Sequence, residues 1–327
     1  CGTHGAQAAE ADAEAEQMSE AELAVVLPPA LLRVMACAEA SDEAGRFMAW
    51  ASALELFSQA PPTTQARLSA HWRGHQLPEL LHALLRALPL EQPPTKAAPQ
   101  RVASLAATAC AEGRAPPPSA LAVGLYLQLL QTVPALVRHW WSHALAARGA
   151  SAALARFTEA QLSPVLLRQE VEEAARRIGV EDETFKVRGS AATRQITATY
   201  AHSEGAAMQI VLQLSACHPL RALEVECVQR VGVSDARWRK WQRTISTMLL
   251  AQNGAISEAL LLWRQHVDKV FEGVEECPIC YTIIHAATRA LPKLECRTCH
   301  HKFHAACLYK WFNSSQKSNC PLCQSTF

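Results

Sequence analysis

Across 327 residues, no apolar run reaches the ~18 to 20 residues that a membrane span needs. Neither sign of charge dominates. The formal net charge is +1, so no global field selects nucleic acid or a membrane surface. No targeting segment leads the chain, which argues for the cytosol, and it opens on Cys1 rather than Met, as a fragment of a longer chain would. No clean internal period marks a repeat array. Cys217 and Cys227 fall in strand-like text with no acid–base partner nearby, and they read as inert buried thiols. No catalytic nucleophile is therefore expected.

What the chain does have is concentrated at its end. Seven of its twelve cysteines lie in the last 51 residues. They form Cys277-Pro-Ile-Cys280, Cys296-Arg-Thr-Cys299, His304-Ala-Ala-Cys307 and Cys320-Pro-Leu-Cys323. A two-residue gap lets both ligands of a pair reach one tetrahedral ion from a tight turn, the usual spacing at structural zinc. A histidine in the fifth ligand position has no role in a disulfide framework. Eight ligands complete two four-coordinate sites and leave no position open, so two structural zinc ions are expected rather than a catalytic one. Fifteen residues separate Cys280 from Cys296, and twelve separate Cys307 from Cys320, so sequential and interleaved pairings both fit.

The order of ligand types, four Cys, one His and three Cys, resembles the RING family and also the PHD finger, a histone-tail reader. Both families interleave their ligands. By that resemblance Cys277, Cys280, His304 and Cys307 hold one ion, and Cys296, Cys299, Cys320 and Cys323 hold the other. PHD fingers usually carry a Trp two residues before the seventh ligand, where this chain has Ser318. RING domains that recruit a charged ubiquitin-conjugating enzyme carry an apolar residue before the second ligand, a Trp between the sixth and seventh, and a Pro after the seventh. Here these are Ile279, Trp311 and Pro321. The competing reading makes Ile279 and Trp311 the small core of a metal-stapled domain. Active RINGs often place Arg after the last ligand, where Gln324 stands. Gln has fewer donors and no charge, so activation would be weaker or carried by other contacts.

Val274-Glu-Glu-Cys-Pro-Ile-Cys, Cys296-Arg-Thr-Cys, Lys302-Phe-His and Cys307-Leu-Tyr-Lys-Trp-Phe resemble the RING ubiquitin ligases of ribosome-associated quality control. That resemblance implies a ligase acting on lysines of stalled nascent chains on the large ribosomal subunit. It implies no membrane and no sequence-specific nucleic acid. Two alternatives stay open: a non-catalytic zinc interaction module such as a PHD-like reader, and a scaffold whose RING is inactive. The zinc stretch carries six Lys or Arg against one acid, Glu295. Thiolates and zinc together bring the balance to about +2, which suits a surface near ribosomal RNA or an acidic partner but also an ordinary solvated basic face.

Upstream, the expected architecture is multidomain. Residues 1–22 are mostly Ala, Glu and Asp and read as a disordered arm. Ser19 and Glu22 suit a capping box for a short helix with Leu23, Val26 and Leu27. Residues 23–160 form an all-α, HEAT-like region. Stripes at Phe47–Phe57, Leu80–Leu88 and Leu125–Val137 have helical spacing, broken at Pro61-Pro62, Pro93-Pro94 and Pro116–Pro118. Trp140 and Trp141 read as core flanked by His139 and His143, and Arg148 before Gly149 suits a helix C-terminus. Residues 161–273 read as an α+β domain. Ser163-Pro164 caps a helix that ends at Gly179. Period-two strands follow at Phe185–Arg188, Ile196–Tyr200, Met208–Leu214 and Leu223–Cys227, with a hairpin at 202–206. Two helices follow, with stripes Trp238–Leu249 and Ile256–Val270, separated by Asn253-Gly254. Helix, four strands and two helices resemble the RWD fold, in which His218-Pro219 stands where a Tyr-Pro pair is usual. Residues 274–327 form the RING. Only five residues separate Phe271 from Cys277, a linker too short to let the zinc module swing.

Overall fold

The computed structural model describes residues 18–36, 42–74, 76–91, 98–144, 148–178, 184–201 and 207–327. The expectations for residues 1–17, Pro93-Pro94, Gly179 and the 202–206 hairpin lie outside these. The chain divides into two compact units. One is residues 1–168 with 215–223 and 250–253, and the other is residues 169–214 with 224–249 and 254–327.

The first unit is helical, with α1 (Glu20–Val26), α2 (Pro29–Ala36), α3 (Glu43–Gln59), α4 (Pro62–Gly74), α5 (Gln76–Ala87), α6 (Val102–Ala111), α7 (Pro118–Thr132), α8 (Pro134–His139) and α9 (Arg148–Phe157). Ser19 and Glu22 do form a capping box on α1. Phe57 and Trp50 close on Trp72 from two sides, with ring centroids 5.2 and 5.4 Å away. Helix α7 is apolar and buried on all sides, as a central core helix should be. Its one buried amide is satisfied: Gln128 Nε2 donates to Ala51 O and Glu55 Oε1, each at 3.0 Å. Gly124 lets the chain approach closely, because a Cβ there would lie 2.7 Å from the Gln100 carbonyl.

Three local readings are corrected. The stripe Leu125–Val137 is two helices, because Pro134 lacks a donor and excludes the residue before it from helical space. Val133 accordingly sits at φ −131°, and the axis bends by 106° there. No single described helix is long and apolar enough to cross a membrane. Ser163 is not a cap. A π-turn at Thr158–Leu162 carries the helix onward into α10 (Ser163–Ile178), and this wider turn accommodates Pro164 without a break. The Ser163 hydroxyl donates instead to His218 O at 2.7 Å. Arg148 and Gly149 open α9 rather than closing a helix. A second π-turn spans Trp140–Ala144. Trp140 is buried, Trp141 is half-buried, and the exposed His139 and His143 rings stack at 4.5 Å. Within this unit, Arg138 donates to Pro219 O and Leu250 O, both at 2.9 Å, and Asn253 Oδ1 caps the N-terminus of α8 at Ala135.

The second unit holds an antiparallel meander in the order β1 (Phe185–Ser190), β2 (Gln195–Ala201), β3 (Ala207–Gln213) and β4 (Glu224–Gln229), with α11 (Asp235–Ala251) and α12 (Ile256–Phe271) after it. Register pairs Phe185 with Tyr200, Ile196 with Leu212, and Leu212 with Val225. Ile196, Ala198, Ile210 and Leu212 are fully buried, and their neighbours in sequence are not, as a one-sided sheet requires. The buried face meets α12, where Trp263 packs 5.8 Å from Phe185 and Phe271 stacks on Tyr200. A register shift between Gln209 and Ile210 leaves Val228 unpaired and 59% exposed. Gln242 of α11 donates to the outward Val225 carbonyl at 2.9 Å, which blunts the open β4 edge.

Glu170 of α10 is half-buried, with its carboxyl turned away from water. Burial pushes it up to about 7, against the pull of a hydrogen bond from the Ile256 amide at the start of α12. The folded protein therefore keeps a proton that the unfolded chain releases near its ordinary value of 4.5. More protons bound in the folded state mean that stability falls as pH rises from about 4.5 to 7. Glu170→Gln keeps an acceptor for Ile256 and removes the charge. Its gain over wild type in the unfolding of this unit should be near zero at pH 4.5 and about 2 kcal/mol at pH 8. Urea titrations at the two pH values measure this; the same gap at both would rule out a buried charge as the cause.

Candidate metal centre and partner surface

The last 51 residues fold around three copies of one turn. In Cys277–Cys280, Cys296–Cys299 and Cys320–Cys323, the residue after the second Cys takes positive φ: Tyr281 at 55°, His300 at 59° and Gln324 at 60°. Each donates its amide to the first Cys carbonyl, at 2.7, 3.0 and 3.0 Å. The first Cys amide in turn donates to the carbonyl five residues on: Thr282, His301 and Ser325. The left-handed residue curls the chain so that both sulfurs point the same way. It costs a non-glycine residue roughly 1 to 2 kcal/mol. The fourth pair uses a different device. His304 sits at the start of α13 (Ala305–Ser315), and Cys307 lies within its first turn.

These pieces gather the eight predicted ligands into two groups, Cys277, Cys280, His304 and Cys307, and Cys296, Cys299, Cys320 and Cys323. This is the interleaved arrangement; spacing alone left it level with the sequential one. Within each group the ligand atoms lie within 4.8 Å of one another. Cys296 and Cys323 sulfurs are 3.6 Å apart, and those of Cys299 and Cys320 are 3.7 Å apart. A disulfide would need about 2.05 Å. A tetrahedron with metal–sulfur legs of about 2.3 Å has edges of about 3.8 Å, so the spacing fits zinc. His304 Nδ1 lies 3.3 Å from Cys280 Sγ, and its Nε2 donates to Ile283 O at 3.0 Å. That bond fixes the tautomer and turns Nδ1 to the sulfurs. The thiols are crowded: burial, and then Cys280, push Cys307 up to about 12. The Ser325 amide and hydroxyl pull Cys323 down to about 6. A divalent cation among four such groups removes their repulsion. The residues can therefore hold two zinc ions, each in a closed four-ligand site.

The remaining site residues lie on this frame. Ile279 is inside the first turn and half-buried, and Pro321 is inside the third and half-buried. Trp311 is on α13, 39% exposed, with Nε1 donating to Asn319 O at 3.2 Å, so it is tied to the base of the third turn. Gln324 is exposed. Four of the eight large exposed hydrophobics among the described residues belong to this module: Tyr281, Tyr309, Trp311 and Leu322. Tyr281, Tyr309 and Leu322 were not singled out from the sequence, although the two-residue gaps that marked the ligands already put Tyr281 just outside a metal turn. The module's own core is Phe303, Leu308 and the half-buried Phe312 and Phe327 rings.

In the α+β part, Arg237, Arg239, Lys240 and Arg243 are exposed on α11. Arg237 lies 5.8 Å over the Trp241 ring. His266 stacks on the same ring at 5.3 Å. Burial, and then Lys269, Arg237 and Lys240, hold its pKa below the usual value, which favours the neutral imidazole, so the positive charge of this face comes from the exposed Arg and Lys side chains. Cys217 is buried, and burial raises the half-buried Cys227 thiol, so Cys227 is not a ready thiolate.

Comparison with known proteins adds three family matches. The LTN1 family HEAT repeat region matches residues 8–175, a ubiquitin conjugating domain-like family matches 185–270, and a Ring finger domain matches 275–324. E3 ubiquitin-protein ligase listerin of Mus musculus is 37% identical over 300 residues, 86% of this chain and 16% of the relative. The Gallus gallus protein of the same name is 41% identical over 210 residues, 63% of this chain and 12% of its own length. That of Saccharomyces cerevisiae is 34% identical over 201 residues, 61% and 13% respectively. The chain thus spans about a sixth or less of the length of these relatives.

Proposed function

This chain belongs to the listerin (LTN1) family, and on that premise we propose that it is the ligase end of a RING-type E3. It recruits a ubiquitin-conjugating enzyme charged with ubiquitin and promotes transfer to lysines of stalled nascent chains on the large ribosomal subunit, in the cytosol. The observation that carries the reading is the pair of closed four-ligand clusters beside an exposed Trp311. Closed sites leave zinc a structural role, and an exposed Trp on so small a domain serves contact.

No side chain of the chain needs to touch the reacting carbonyl. Ile279, Trp311 and Pro321 bind the conjugating enzyme. The thioester is then held in an attack-ready pose, and the gain is positional and entropic. Gln324 follows the last ligand with its backbone anchored in the third turn, where its side chain can reach the seam between enzyme and ubiquitin. The α+β domain, with its basic α11 face, serves as the tether to the ribosome.

The test is discharge of a panel of charged conjugating enzymes to free lysine by the 1–327 chain. At least one enzyme should discharge faster with the chain than alone. Should none respond while both zinc sites are filled, the module is a non-catalytic zinc interaction domain or an inactive scaffold. Co-sedimentation with large ribosomal subunits, weaker at high salt, tests the tether separately.

A further inference from the structure

Gly232, in the turn between β4 and α11, is pressed against the zinc module. Its amide donates to Arg289 O at 3.2 Å, and its carbonyl accepts from Lys293 Nζ at 3.1 Å. Its φ is +67°, and a Cβ there would lie 2.5 Å from Leu291 Cδ1 and 2.6 Å from Leu291 Cγ. Leu291 is 4% exposed, and Val231 next to Gly232 is 1% exposed. The opposing loop, residues 282–293, is braced from within. Arg289 N donates to His285 O at 2.9 Å and His285 N to Ala290 O at 3.0 Å, while Lys293 N ties the loop's end to Phe303 O at 3.1 Å. The same loop presents the Ile283 carbonyl that orients the ligand His304. A second attachment is covalent. Phe271 is stacked on Tyr200 of the sheet, and the chain runs through Gly273, at φ +66°, into Cys277.

One attachment leaves a module free to rotate about it; two, well apart in sequence, fix its direction. From this geometry we infer that the Gly232–Leu291 contact is a positioning joint. It sets the direction in which the zinc module presents a charged conjugating enzyme relative to the α+β domain, and so selects which lysines are reached. The inference rests on the ligase reading for its consequence, but not for its physical content. Since transfer is positional, fixing the direction raises the effective concentration of the thioester at a few lysines and lowers it elsewhere. Gly232 takes no part in zinc binding or in contact with the conjugating enzyme.

The experiment compares wild type, Gly232→Val, Lys293→Met and the double variant Gly232→Ala/Leu291→Ala in the 1–327 chain, all checked for two zinc ions per chain. Amide relaxation of residues 277–327 reports whether the module tumbles with residues 184–271. Mass spectrometry maps which lysines of the chain acquire ubiquitin. In Gly232→Val the module should tumble faster than its neighbour. Discharge to free lysine should stay at the wild-type rate, and occupancy of the dominant acceptor lysine should fall roughly ten-fold as the pattern spreads. The double variant, with the obstructing side chain cut back, should recover part of both. Wild-type tumbling together with a wild-type lysine pattern in zinc-loaded Gly232→Val would overturn the joint. If Gly232→Val loses zinc, Lys293→Met decides by the same two readouts. Absent discharge by wild type would count against the ligase reading, while the relaxation data would still decide the joint.

Discussion

Chelating the zinc should unfold residues 277–323 and leave the helical unit and the α+β domain standing. Apart from its docked Leu291 loop, the module has little else to hold it. Its apolar core is Phe303 and Leu308 with a few half-buried side chains, and its only strands are two residues long, β5 (Leu294–Glu295) and β6 (Lys302–Phe303). Helix α13 has 11 residues, too few to persist alone in water. Against this stand the three left-handed turn residues, each costing roughly 1 to 2 kcal/mol. Ligand–zinc energy of order 10 kcal/mol exceeds what so small a core supplies, so binding and folding are one event. The sheet and α12 keep their own core around Phe185 and Trp263 and hold no ligand. Hydrogen exchange with and without a strong chelator reads the outcome. The amides of Tyr281, His300 and Gln324, bonded inside the turns, should lose protection together. Protection that survives zinc removal would show that the two four-ligand groups do not hold the fold.

Trp311→Ala should remove ubiquitin transfer while both zinc ions stay bound, and Ile279→Ala should do the same. Trp311 leaves 39% of its surface to solvent and is tied to the module by one hydrogen bond from Nε1 to Asn319 O, worth about 1 kcal/mol, so its truncation should cost the fold less than it costs binding. Zinc content should therefore stay at two ions per chain. At an interface, buried aromatic anchors cost roughly 2 to 4 kcal/mol on truncation, or about 30- to 1000-fold in affinity for the conjugating enzyme. Ile279 is half-buried beside the core, so its loss divides between packing and binding, and its zinc content must be measured alongside. Zinc analysis with single-turnover lysine discharge makes the comparison. Full activity in both variants would leave these residues as core alone.

Much of this was legible because the relevant physics is local. Period-two text from Ile196 to Cys227 foretold a sheet with one buried face, and the stripe Ile256–Val270 foretold the helix against it. The ligands were legible because a tight turn needs a two-residue gap. Their grouping was not, since fifteen- and twelve-residue gaps span either pairing; only the family resemblance favoured the interleaved one. The misread helix ends at Ser163 and Val133 have one cause. Pro164 and Pro134 look alike in sequence, but whether a proline ends a helix depends on whether the turn before it can widen. At Thr158–Leu162 it does, and at Val133 it does not. Gly232 carries no local signal in the sequence. Its wedge against Leu291 joins residues 59 positions apart, beyond any local pattern.

The three metal turns have a consequence for how such a module can vary. Each throws one side chain, Tyr281, His300 or Gln324, outward from a backbone held by its own hydrogen bonds, and all three are exposed. The backbone asks of the residue at that place only that it tolerate the left-handed conformation. Substitution there can rewrite the surface while the sulfurs stay where they are. Metal retention and surface chemistry can then drift on separate schedules, and one zinc frame can acquire new partners without passing through an unfolded intermediate.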